Sequence, residues 1–99
     1  MKIVSSIQVG QYVRSKAGRD KNHIFIVLEV IDHEYVLVSD GDIRRVESPK
    51  RKKIKHLYEY KQISDMVREK KTDDKKLTNL MVRKEIEKFD LNQVNLGGF

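Results

Sequence analysis

Seven cationic side chains crowd into twelve residues: Arg44, Arg45, Lys50, Arg51, Lys52, Lys53 and Lys55, opposed only by Glu47. Arg14, Lys16, Arg19 and Lys21 form a second basic group nearer the start of the chain. Ammonium and guanidinium groups at this density suit polyanions, because each phosphate contact releases counterions whatever the sequence of bases. His56 lies in the same stretch and suits contact with phosphate or solvent better than with a metal. The plain alternative is a charge run held in solvent for solubility. The whole chain tilts the same way, with 21 Lys and Arg against 15 Asp and Glu, a net charge of +6.

Other chemistry is missing. There is no Cys, which removes thiol catalysis, Cys-ligated zinc and a disulfide framework together. His23, His33 and His56 have no metal-ligand spacing. Glycines stand only at 10, 18, 41, 97 and 98, so neither a P-loop nor G-x-G-x-x-G occurs. Asp40 and Asp42 flank a turn glycine, and turn chemistry accounts for them. A non-enzymatic protein without metal or cofactor is expected. No apolar run approaches the roughly 20 residues of a membrane helix. The opening Met-Lys-Ile-Val-Ser-Ser lacks the apolar stretch of a signal peptide, so the expected compartment is the cytoplasm.

The elements that must carry the cations change character near residue 60. Before it, short β-branched and aromatic stretches alternate with turn residues. Tyr12 to Lys16 reads as a half-exposed strand, followed by a loop in which Gly18 and Asn22 can take a positive φ. Phe25 to Ile31 reads as a central strand with Ile26, Leu28 and Val30 pointing inward. Tyr35 to Ser39 follows, then an Asp40-Gly41 hairpin into Ile43 to Glu47, and a last strand from about Lys53 to Tyr58. Five short strands predict a small closed or half-closed barrel, with Val13, Val36, Val38 and Val46 completing its core. Its first loop and last hairpin can share a rim, which would merge the two basic groups. Tyr12 and Tyr35 fall on outer faces, where each either stacks on an unpaired base or packs beneath the C-terminal helices; packing is the preferred reading.

After residue 60 the period lengthens. Tyr60, Ile63, Met66 and Val67 form a helical stripe, and Thr72 reads as the N-cap of a second helix running to about Phe89. In that helix Leu77, Leu80 and Met81 lie together, with Val82, Ile86 and Phe89 across from them, so the helix is either sandwiched between the barrel and a partner or bent. The ending Asn-Leu-Gly-Gly-Phe has no pattern and is expected to fray. The division expected is a barrel over 1–60 and a helical extension over 61–99.

The order of these features resembles a known family. Val9-Gly-Gln-Tyr-Val-Arg-Ser-Lys-Ala-Gly-Arg-Asp-Lys, then Phe25-Ile-Val-Leu-Glu-Val-Ile-Asp, resembles the KOW motif of ribosomal and transcription-elongation proteins. Tyr35-Val-Leu-Val-Ser-Asp-Gly and Lys-Arg-Lys-Lys-Ile-Lys-His-Leu57 narrow the likeness to bacterial KOW-domain RNA-binding proteins similar to ribosomal protein L-fourteen-e. The likeness spans about residues 7 to 58. It implies a five-stranded SH3-like barrel followed by one or two α-helices, with RNA, usually ribosomal RNA, as ligand. Gly18 matches the motif glycine, and Lys16, Arg19 and Lys21 match the basic loop around it. Asn22 stands where related sequences usually carry a second glycine. The expectation is thus a ribosome- or translation-associated RNA-binding protein using Arg14, Lys16, Arg19, Lys21, Arg44, Arg45, Lys50, Arg51, Lys52, Lys53, Lys55 and His56. Ribosomal proteins are its expected neighbours, and its oligomeric state is open. The alternative is a protein-interaction module built on the barrel and the helical tail.

Overall fold

A computed structural model describes residues 7–95. Five antiparallel strands form one sheet in the order β4-β3-β2-β1-β5. They are β1 Gln11–Ser15, β2 Ile24–Val30, β3 Tyr35–Ser39, β4 Lys50–Lys53 and β5 Leu57–Ile63. Helices α1 Asp65–Thr72 and α2 Asn79–Asn95 follow. The protein is therefore mainly β with two C-terminal helices. Among the described residues no helix is long and apolar enough to cross a membrane.

The sheet curls strongly. β4 and β5 are its two edges, yet only a 3-10 turn, Ile54–His56, joins them. In a flat sheet four gaps of about 4.8 Å would hold the edges about 19 Å apart. A 3-10 turn advances about 2 Å per residue and cannot span that distance. The curl encloses Val13, Phe25, Val27, Val36 and Val38, with Ile7, Ile54 and Leu57 closing the cluster.

The outer face is apolar as well. Tyr12, Ile26, Leu28 and Tyr60 lie beneath Val67 of α1 and Val82 and Phe89 of α2. This corrects the expected phase of β2. Ile26 and Leu28 belong to the helix side, while Phe25 and Val27 point inward opposite Val13 and Val38. A strand buried on both faces carries no polar alternation from which the phase could be read. The register shift between Val27 and Glu29 is a bulge, which returns Val30 to the side of Val36 but leaves it 38% exposed at the strand end. Val46 is half-buried and packs on the helix-side cluster, outside the curled interior.

The expected strand Ile43 to Glu47 is a loop. Asp40 Oδ1 accepts the N–H groups of Asp42 and Arg44, both at 2.9 Å, and Ser39 Oγ donates to the Arg44 carbonyl at 2.6 Å. These side-chain bonds occupy backbone groups that a ladder would need. The partner of β3 is instead the basic run itself, β4, in the register Tyr35↔Lys53 to Val38↔Lys50. In the first loop Gly18 and Asn22 take φ of 84° and 74°, the conformation that the sequence predicts both residues can adopt.

The boundary at residue 60 falls inside β5, so Tyr60 and Ile63 belong to a strand. Ser64 caps α1 by accepting the Val67 N–H at 3.2 Å. Thr72 ends that helix; the hydroxyl at the start of α2 is Thr78, which accepts the Met81 N–H at 3.2 Å. Val82, Ile86 and Phe89 recur along one side of α2 and dock on this chain's own sheet. Leu80 and Leu91 remain 51% and 62% exposed. Helix α2 continues to Asn95, and the expected fraying of residues 96–99 lies outside the described residues, as does the opening Met1 to Ser6.

Candidate nucleic-acid interface

Two basic segments far apart in sequence meet at one rim. The link is Lys52, whose Nζ donates to Asp20 Oδ1 at 2.9 Å and to Ser15 Oγ at 3.1 Å. Within β4, Lys50 and Lys52 lie opposite Val38 and Val36 and so share the inward face, while Arg51 and Lys53 share the outward face with Leu37 and Tyr35. Lys52, one of the expected phosphate contacts, therefore lies on the inward face. Its side chain is only 10% exposed and its ammonium ties β4 to the first loop. Burial pushes the Asp20 carboxyl up, but hydrogen bonds from Lys52 and Ser15 outweigh it and hold the group below its ordinary value.

Beside this link, Arg19 from the first loop and Arg44 from the β3–β4 loop line one cavity of about 260 Å³. Ile43 stands at its mouth, 72% exposed. His23 and Asp40, whose Nε2 and Oδ2 are 2.6 Å apart, also line the cavity. Lys16 and Lys21 are exposed on the same loop, and the Lys16 N–H donates to the His56 carbonyl at 2.8 Å. That bond brings exposed Lys55 and His56 of the 3-10 turn against the end of β1. Lys50 is half-buried.

Two of the expected residues face elsewhere. Arg45 Nε donates to Glu47 Oε2 at 3.0 Å, and Glu47 also accepts from Asn79 at 2.7 Å, so this pair faces the start of α2. Asn79 and then Arg45 bring the Glu47 carboxyl down to about 2. Arg14 lies on the outer face, its guanidinium 5.6 Å and 5.7 Å from the ring centroids of Tyr58 and Tyr60.

The tyrosines divide. Tyr12 is buried under α2, stacked on Phe89 at 4.2 Å and donating to the Glu85 carbonyl at 3.2 Å. Tyr35 does not belong to the helix-covered cluster; Arg51 and Lys53 stand over its ring. Tyr58, 48% exposed, was missed because the last strand was expected to end there, whereas β5 begins one residue earlier and turns it outward. The cations of β4 also protect an edge strand against pairing with other chains, and an inward-pointing Lys52 is one device for that purpose. No family model matches this sequence, and the search of curated proteins finds no match either.

The carboxylates that brace the rim set its acid stability. Burial works to raise Asp40, but hydrogen bonds from the Asp42 N–H, the His23 ring and the Arg44 N–H hold it below its ordinary 3.8. Asp20 is lowered in the same way. A depressed folded value contributes stability that is fully present above the unfolded value and is lost as pH falls through the folded one. The melting temperature should therefore hold from neutrality to about pH 5 and fall steadily below about pH 4. In thermal melts, Asp40→Asn should start lower at neutral pH and show a smaller acid loss; an unchanged acid loss would remove Asp40 from this role.

Proposed function

We propose that this chain is a non-catalytic RNA-binding protein, associated with the ribosome or translation, that holds ribosomal RNA on the basic rim of an SH3-like KOW barrel. The observation that carries the reading is the meeting of Arg19 and Arg44 across one cavity, beside the link between Asp20 and Lys52. That link pairs Asp20 with Lys52, and the loop bonds satisfy Asp40 within the protein. The curled five-stranded sheet, with its edges joined by one short turn, supports the barrel. The resemblance over residues 7 to 58 supports the class of ligand, and a sequence pI near 9.6 agrees with a polyanionic one. Lysine and arginine contacts to phosphates set affinity and orientation more than sequence choice.

The test is salt dependence. Replacing Arg19, Arg44, Arg51 and Lys53 with Gln should weaken binding to all single-stranded RNAs and flatten the plot of log affinity against log salt by up to about 3, roughly 0.7 for each lost contact. Replacing Lys70, Lys71, Lys75 and Lys76 removes the same charge from the helical region and should leave most of the slope. Equal losses from the two quadruple variants would reduce the rim to diffuse charge. Co-sedimentation with ribosomal subunits, reversed by high salt, is expected in a lysate. Binding to ribosomal proteins without RNA would favour the protein-interaction reading instead.

A further inference from the structure

Tyr35 is held in place from both sides. Asp32 Oδ1 accepts the N–H groups of Glu34 and Tyr35, each at 2.8 Å, which closes the turn ahead of β3. The ladder then sets Tyr35 opposite Lys53, and its side chain stands on the outer face. On that face the helices cover Tyr12, Ile26, Leu28 and Tyr60, but Tyr35 and Leu37 lie outside the covered cluster. The ring is half-buried by cations instead. The Arg51 guanidinium carbon lies over it at 4.7 Å from the centroid, and Lys53 Nζ is 5.9 Å away. Arg51 itself is exposed.

A guanidinium has two faces. With its carbon held 4.7 Å from the Tyr35 centroid and its side chain exposed, that of Arg51 offers a flat, delocalised, positively charged surface next to the ring. We infer that the Tyr35–Arg51 cation–π pair is a shelf for an unpaired nucleobase, with Lys53 beside it for the adjoining phosphate, so that the RNA held here is single-stranded. This rests on the RNA-binding reading above and adds to it the kind of RNA. Chemical complementarity selects the occupant. A nucleotide in an unpaired strand supplies a planar π-face and an anion at neighbouring positions, matching a plate and an ammonium on alternate residues of one strand. A duplex keeps its base faces stacked inside and offers this surface phosphates alone. An acidic peptide would satisfy the charges and leave the plate unused.

Arg51→Lys separates the two contributions, since it keeps the charge and removes the plane. Binding is measured by fluorescence anisotropy with an unstructured RNA of about 12 nucleotides and with a duplex of the same length. The wild type should prefer the single strand. Arg51→Lys should lose about tenfold on the single strand and less than about twofold on the duplex, with an unchanged salt slope. Tyr35→Leu, which removes the lower layer, should lose in the same direction. Because Arg51 is exposed, its variant remains informative even where Tyr35→Leu disturbs β3. Wild-type affinity for the single strand in Arg51→Lys, equal losses on both probes, or a wild-type preference for duplex would each overturn the shelf while leaving a basic RNA-binding rim. Wild-type protein that binds neither probe would overturn the RNA reading and the shelf together.

Discussion

Replacing Phe89 with Ala is expected to cost about 3–5 kcal/mol of folding stability, because it empties the joint between helix and sheet. Phe89 is 3% exposed, stacks on Tyr12 with an interplanar angle of 7° and meets Tyr60 edge-on at 4.8 Å. Truncation removes the ring's burial, leaves a cavity that two tyrosines cannot fill, and opens the Tyr12 hydroxyl to water. Burial, and then the nearby Glu85 carboxylate, now push that hydroxyl up to about 12. Tyrosine ionisation followed by absorbance should accordingly begin at lower pH in the variant. Phe89→Leu should fall between the variant and the parent protein. Leu91→Ala, at a side chain 62% exposed on the same helix, should stay within about 0.5 kcal/mol. The measurement is urea unfolding. A loss below about 1 kcal/mol for Phe89→Ala would make α2 an appendage to a self-sufficient sheet, against the expectation that so small a β unit needs a cover.

That joint also shows where sequence reasoning succeeds and where it stops. The stripe Val82, Ile86 and Phe89 is legible from helical spacing, but spacing gives no partner, and the partner is the outer face of the chain's own sheet. The same cover hides the phase of β2. With Phe25 and Val27 on one side and Ile26 and Leu28 on the other all buried, an unbroken apolar run is compatible with either orientation. Strands β1 and β3 keep enough alternation to be read, and both fall within a residue of expectation. Strand β4 is the opposite case. Its four residues are Lys-Arg-Lys-Lys, with no apolar signal, and only pairing to Tyr35 through Val38 makes it a strand. The density of cations on this rim was plain from composition, whereas the divergent roles within it depend on alternation and curl. Lys52 turns inward to Asp20, while Arg51, its immediate neighbour, turns outward to Tyr35. Thr72 misled for a local reason: a hydroxyl followed by two aspartates fits an N-terminus, but the chain needed six more residues to reach the sheet before Thr78 could start α2.

Gly41→Ala should be among the most damaging single-methyl changes in the protein, with an expected loss of about 2–4 kcal/mol. Two costs combine. Gly41 has φ of +75°, where any Cβ crowds the following carbonyl for about 1–2 kcal/mol. The added atom would also stand 2.4 Å from the Asn79 carbonyl oxygen and 3.1 Å from the Arg83 nitrogen, both backbone atoms of the first turns of α2. Those atoms have little freedom to retreat. Asn79 Oδ1 accepts the Val46 N–H at 2.7 Å and its Nδ2 donates to Glu47 at 2.7 Å, so the helix start is tied to the very loop that Gly41 opens. Retreat of α2 would also lift Val82, which is fully buried three residues further on. Gly18→Ala separates the two costs, since Gly18 has nearly the same φ, +84°, and its nearest neighbour is the Asp20 carboxylate at 3.7 Å. That variant should lose only about 1–2 kcal/mol. If urea unfolding gave the two variants equal losses, the close approach of α2 to the Asp40–Glu47 loop would not hold in solution. The expected excess at Gly41 has a second consequence under the proposed RNA-binding function, because the same loop carries Arg44: Gly41→Ala should weaken RNA binding at temperatures where the protein is still folded, and Gly18→Ala should do so less.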